Sequence, residues 1–91
     1  MNRLSEKEIL QKLQKLEGWT LNEAALERNF EFKNFKEALD FIVQLGAFAE
    51  TANHHPELFN VYNKVNIRLS THDANGITSK DFDLAEKINS I

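Results

Sequence analysis

The chain has 91 residues, 42% of them hydrophobic, and a formal charge of −3 at pH 7. That length accommodates one domain with a modest core, so association between copies is a natural way to bury more apolar surface. With no cysteine, disulfides, thiolate metal sites and thiol nucleophiles are excluded, and the interspersed lysines and glutamates leave no basic block to lie along phosphates, so direct nucleic-acid binding is not expected.

The opening residues, Met1-Asn2-Arg3-Leu4-Ser5-Glu6-Lys7-Glu8, are polar rather than an apolar signal core, and no apolar run approaches the roughly 18 residues of a membrane span. These features predict a soluble, cytoplasmic protein without membrane association. Ser5-Glu6-Lys7-Glu8 has the Ser-x-x-Glu spacing of a capping box and starts a helix, with Ile9, Leu10, Leu13 and Leu16 at helical spacing and Gly18 as its stop. The helix is expected to end near Leu16. Trp19 to Asn22 reads as a short strand. Ala25 to Phe32 alternates Leu26, Arg28, Phe30 and Phe32 against Glu27, Asn29 and Glu31, which predicts a hairpin turning at Asn22-Glu23-Ala24.

Asn34-Phe35-Lys36-Glu37 repeats the cap signature and opens the longest periodic segment, to about Ala52. Phe35, Leu39, Ile42, Gly46 and Ala49 form one stripe and Phe41, Leu45, Phe48 and Ala52 a second. The apolar surface is thus wider than one packing face requires, as in a helix that meets both its own sheet and a second subunit. Pro56 disfavours helical geometry at His55, so the helix gives way at about Asn53 or His54. Leu58 to Tyr62 and Val65 to Thr71 read as a second hairpin turning at Asn63-Lys64, with Val65, Ile67 and Leu69 facing the core. After the loop Asp73-Ala74-Asn75-Gly76, Thr78-Ser79-Lys80-Asp81 caps a last helix carrying Leu84, Ala85, Ile88 and Ile91. The predicted order αββαββα describes an α+β fold: one domain over residues 1–91, a four-stranded antiparallel sheet with three helices on one face.

All three histidines lie in two short segments, His54-His55-Pro56 and Ser70-Thr71-His72. Imidazole, with an unperturbed pKa of about 6.5, both gives and takes protons near neutrality. A dehydration or isomerisation needs one proton delivered to a leaving oxygen and another removed nearby, and His54 and His72 are the simplest pair for this. The competing structural reading has these histidines hydrogen-bonding free carbonyls at a helix end or facing solvent. A zinc site made from the histidines with Glu50 or Asp81 is disfavoured, because adjacent histidines diverge and no His-x-x-x-His spacing is present. Taken singly, Asp81 reads as the capping-box acid of the last helix, Glu50 as a solvated helix residue, and Trp19 and Tyr62 as half-buried sheet residues.

Four blocks in order, Glu50-x-x-x-His54-His55-Pro56-Glu57, Phe59-Asn60-Val61-Tyr62-Asn63-Lys64-Val65, Leu69-Ser70-Thr71-His72 and Gly76-Ile77-Thr78-x-x-Asp81, resemble the signature of the pterin-4a-carbinolamine dehydratases. The similarity runs from about Gly18-Trp19 to the C-terminus and includes Phe30-x-Phe32-Lys33-x-Phe35. It implies dehydration of a 4a-hydroxytetrahydropterin to the quinonoid dihydropterin, the step that recycles the pterin used by aromatic amino acid hydroxylases, without metal or cofactor. On this resemblance His54, His55 and His72 surround the carbinolamine, with His54 and His72 moving protons and His55 holding the pterin or assisting. Pro56 fixes the loop, and Glu50 and Asp81 match positions near the site where a carboxylate orients an imidazole.

The resemblance also implies a homodimer or homotetramer. Animal members act as dimerisation cofactors for a homeodomain transcription factor, so a protein-interaction module is the alternative function. Two residues depart from the pattern of many relatives. Leu58 stands where they carry tryptophan, and Asn53 where some carry aspartate. If position 58 lines the pterin pocket, Leu58→Trp should lower the pterin dissociation constant in a binding titration; an unchanged constant would place the residue outside it.

Overall fold

The computed structural model describes residues 2–91. Helix α1 (Glu6–Leu13) starts with the reciprocal capping box: the Ser5 hydroxyl accepts from the Glu8 N–H, and the Glu8 carboxylate accepts from the Ser5 N–H. It ends at Leu13, short of Leu16, because the chain tightens. The N–H groups of Lys15 and Leu16 donate to the carbonyls of Lys12 and Leu13, three residues back. Leu16 is buried all the same, and Gly18, at φ +87°, reverses the chain where a Cβ would stand 2.5 Å from the Arg28 guanidinium carbon.

Strand β1 (Thr20–Asn22) begins one residue later than the sequence suggests, since Trp19 turns into the core. It is buried rather than half-buried, and its indole N–H donates to Asn89 Oδ1 at 2.8 Å. β1 pairs with β2 (Ala25–Glu31) across Glu23-Ala24. Both turn residues have positive φ, 49° and 63°, as a two-residue loop matched to strand twist requires.

Helix α2 (Phe35–Ala52) is capped by Asn34, whose side chain accepts from the Glu37 N–H. It stops at Asn53, a left-handed residue (φ 51°, ψ 43°) whose N–H closes onto the Ala49 and Glu50 carbonyls. Asparagine is one of the few side chains that accepts this geometry. Strands β3 (Glu57–Val61) and β4 (Lys64–Leu69) pair with Val61 opposite Lys64, so their turn is Tyr62-Asn63 and not Asn63-Lys64. Hydrogen bonds choose this turn. The Asn60 amide donates to the Tyr62 and Lys64 carbonyls, while Asn63 docks on Phe32, donating from its side chain and accepting at its backbone carbonyl. Tyr62, at φ 51°, is exposed rather than half-buried. β4 stops at Leu69, and Thr71 and Gly76 form an isolated bridge at the base of a 3₁₀ turn, His72–Ala74. Helix α3 (Ser79–Asn89) follows.

The strands are all antiparallel in the order β1-β2-β4-β3. Leu26, Val65, Ile67 and Leu69 on one face of the sheet meet Ile9 of α1, Phe41 and Leu45 of α2, and Leu84 and Ile88 of α3. Each such burial contributes roughly 1.5–3 kcal/mol. The expected α+β arrangement, with three helices on one face, is the one observed. The covered and uncovered residues of α2 do not follow the two stripes read from the sequence: Ala49 of the first is buried and Ala52 of the second is exposed. Ala38, Phe41, Leu45 and Ala49 are sealed, whereas Phe35, Leu39 and Val43 remain 45%, 40% and 72% exposed. Among the described residues no helix is long and apolar enough to cross a membrane.

Because Asn53 sets the exit from α2, Asn53→Ala should cost about 1 kcal/mol through left-handed strain, while Asn53→Gly should equal or exceed the parent. Chemical denaturation midpoints would show this ordering.

Candidate active site

His54 is the first residue beyond the Asn53 cap, and its own N–H still donates to the Ala49 carbonyl at 3.0 Å. This continuation of the cap turns the side chain inward. The residue is 9% exposed, and its Nε2 lies 2.5 Å from Asp81 Oδ1. Asp81 occupies the first turn of α3 and is wholly buried. Its second oxygen, Oδ2, accepts from the Thr78 N–H at 2.9 Å and from the Thr71 hydroxyl at 2.8 Å. Asp81 therefore caps its helix through Oδ2 and meets the His54 ring through Oδ1.

A carboxylate only accepts, so the hydrogen of neutral His54 sits on Nε2 and the lone pair on Nδ1. Nδ1 has no hydrogen-bond partner among the described residues and is not sealed from solvent. The ring thus presents a base outward and, once protonated, an acid at the same atom.

His55 takes the opposite course. Pro56 restricts it to extended geometry, and its Nε2 meets Glu50 Oε1 at 2.6 Å on the surface, with side chains 57% and 78% exposed. Glu50 is solvent-exposed, as expected, but also engaged. His72 stands exposed in the 3₁₀ turn and lines a cavity of about 200 Å³ with Glu57, Arg68, Ser70 and Asn75. Neither His54 nor His55 lines that cavity. Larger hollows, about 500 Å³ beside Phe59 and Val61 and about 540 Å³ between α1 and α3, hold no histidine.

Within one chain the structure therefore joins His54 to Asp81 and, through Thr71, to the segment bearing His72, while His55 and Glu50 form a separate pair. Among the described residues no three His, Asp or Glu side chains group as metal ligands would. Leu58 pairs with Ile67 on the helix side of the edge strand and is 42% exposed. Sequence reasoning missed Thr71 and saw Thr78 only as a cap. Their hydroxyls meet at 2.7 Å across seven residues of loop, a contact that no periodicity announces. It also missed the N-terminal segment, where Arg3 donates to the Asn75 carbonyl and Leu4 to the Ile77 carbonyl, bracing the loop after His72.

The fold and site define a small α+β protein in which two histidine-bearing segments are gathered on one buried carboxylate. The family model described as pterin 4 alpha carbinolamine dehydratase matches residues 2–91. A protein of Christiangramia forsetii is 48% identical over 91 residues, 100% of this chain and 94% of its own length. One of Sulfurisphaera tokodaii is 45% identical over 91 residues, 100% and 98%. Both carry pterin-4-alpha-carbinolamine dehydratase in their names. A crystal structure from Brucella melitensis, described as a transcriptional coactivator/pterin dehydratase, superimposes with a TM-score of 0.95 at 43% identity, covering 98% of this chain and 97% of that one. The chain belongs to the pterin 4 alpha carbinolamine dehydratase family and is a dehydratase, a hydro-lyase.

Asp81→Asn leaves one acceptor oxygen for three donors. It should cost about 1–3 kcal/mol in denaturation for the orphaned donor, and it should lower turnover about 10²-fold or more by turning an amide N–H toward His54.

Proposed function

We propose that this chain dehydrates a 4a-hydroxytetrahydropterin to the quinonoid dihydropterin and water by histidine acid–base catalysis. The observation that carries this reading is the buried His54–Asp81 pair, which aims one unpartnered imidazole nitrogen outward. In the reaction the N5–H proton leaves to a base, the nitrogen electron pair forms the N5=C4a double bond, and the C4a–O bond breaks as an acid protonates the hydroxyl. No electrons change hands overall, so the step requires no redox cofactor. His54 and His72 carry the two proton transfers. His55, paired with Glu50, holds the ring system. Pro56 fixes the loop, and Asp81 orients His54. Residues 1–91 act as one pterin-binding domain, and the product re-enters use by an aromatic amino acid hydroxylase.

The reading includes a homodimer or homotetramer. The exposed Phe35, Leu39 and Val43 of α2 and the exposed Phe59 and Val61 of the edge strand support it, because apolar surface of this kind is usually covered by another chain. The same α2 face gives the second reading, a protein-interaction module in a cytoplasmic setting. That role is named for the Brucella neighbour as coactivator.

The deciding experiment generates the 4a-hydroxytetrahydropterin in situ with a hydroxylase and follows its loss with and without the protein and a chelator, subtracting the spontaneous rate. Chelator-insensitive acceleration is expected, and His54→Ala and His72→Ala should each reduce it about 10²-fold or more with folding retained. Full activity in both variants would overturn the assigned roles. No acceleration by the parent protein would favour the interaction module.

A further inference from the structure

We propose that Thr71 and Thr78 are positioning residues, linked in a one-way chain of hydrogen bonds that holds Asp81 in a single orientation and thereby sets the His54 tautomer. The inference rests on the histidine chemistry proposed above and assigns a task to two side chains that touch no substrate in it.

The hydrogens of this cluster have one consistent arrangement. A hydroxyl owns a single hydrogen, and a carboxylate owns none. Thr71 Oγ1 lies 2.8 Å from Asp81 Oδ2, so the Thr71 hydrogen points there. Thr71 Oγ1 also lies 2.7 Å from Thr78 Oγ1, and that contact must take its hydrogen from Thr78. Thr78 Oγ1 in turn accepts from the Lys80 N–H at 3.2 Å. Direction runs from the backbone of α3 through Thr78 and Thr71 to the carboxylate. Oδ2 is occupied by the Thr71 hydroxyl and the Thr78 N–H, which leaves Oδ1 for His54. The two oxygens are chemically equivalent, so what these bonds hold is the plane of the carboxylate, with one oxygen on the helix cap and the other toward His54. Asp81 and Thr78 are 0% exposed and Thr71 is 7% exposed, so water does not substitute for a lost link.

The backbone of Thr71 ties the second histidine to the same point. Its N–H donates to the Gly76 carbonyl, and its carbonyl accepts from Ala74 and Gly76, closing the base of the turn that presents His72. One residue therefore touches the carboxylate that orients His54 and anchors the turn that carries His72. Buried networks of this kind specify geometry when every member is satisfied, and no buried side-chain polar atom among the described residues lacks a partner.

The test reads the tautomer directly. Long-range ¹H–¹⁵N correlation of the His54 ring, in its neutral form, should show hydrogen on Nε2 and a bare Nδ1 in the parent protein. Thr71→Val keeps the shape but removes both the donor to Asp81 and the acceptor of Thr78. It should mix in the Nδ1–H tautomer and lower kcat about tenfold or more, with KM within about twofold. Thr71→Ser should restore the parent spectrum and rate. An unchanged His54 spectrum in Thr71→Val, with kcat within twofold of the parent or falling only with folded fraction, would overturn the proposal. If Thr71→Val does not fold, Thr78→Val against Thr78→Ser breaks the same chain one link earlier, and the same two outcomes decide. A parent protein without dehydratase turnover would remove the preceding reading, while the tautomer measurement would still decide this one.

Discussion

Asp81 is sealed from solvent, and donors from three separate parts of the chain converge on its two oxygens, as a buried polar group requires. The exit of α2 supplies the His54 ring, the segment after β4 supplies the Thr71 hydroxyl, and α3 supplies its own Thr78 N–H. Withdrawing any one of them leaves a buried polar group short of a partner. The carboxylate therefore fixes how the last helix registers against the sheet, and it does so at the point where both histidine segments enter.

The surroundings make that convergence repeatable. Asn53 ends α2 in a left-handed turn, so His54 leaves the helix pointing inward rather than continuing around its surface. Pro56 restricts His55 to extended geometry, and His55 pairs with Glu50 on the outside. Two adjacent imidazoles thus receive different environments: one largely buried and held by a carboxylate, the other exposed and paired at the surface. His72 comes from a tight turn closed by the Thr71–Gly76 bridge and braced by the N-terminal segment. Helix α2 serves two surfaces at once. Ala38, Phe41, Leu45 and Ala49 close the core, while Phe35, Leu39 and Val43 form an outer apolar strip that the chain does not cover.

Much of this was legible in the residues. Both Ser/Thr-x-x-acid signatures formed reciprocal capping boxes, and the Asn34 cap and the Pro56 signal placed α2 closely. The alternation of Val65, Ile67 and Leu69 gave the correct core face of β4. The misses have two causes, one local and one long-range. Leu16 fits the helical period of α1 yet lies beyond its end, because three-residue hydrogen bonds let it reach the core without a further turn. Tyr62-Asn63 replaced Asn63-Lys64 as the hairpin turn because Asn63 bonds to Phe32, 31 residues away. Trp19 was sealed by Asn89, 70 residues away. The Asn63 and Trp19 contacts are long-range, and no local window contains both partners.

The order of elements, the face each presents to the core, the helix boundaries set by caps and proline, and the histidine motif with its family resemblance were determined by the sequence alone. They follow from backbone geometry and side-chain type, which act within a few residues. The tertiary structure decided which histidine meets the carboxylate, that Asp81 divides its oxygens between a helix cap and an imidazole, and that Thr71 and Thr78 complete the network. Those outcomes depend on distances between segments about ten to thirty residues apart in the chain, and only the docking of α3 against the sheet brings them within hydrogen-bonding range.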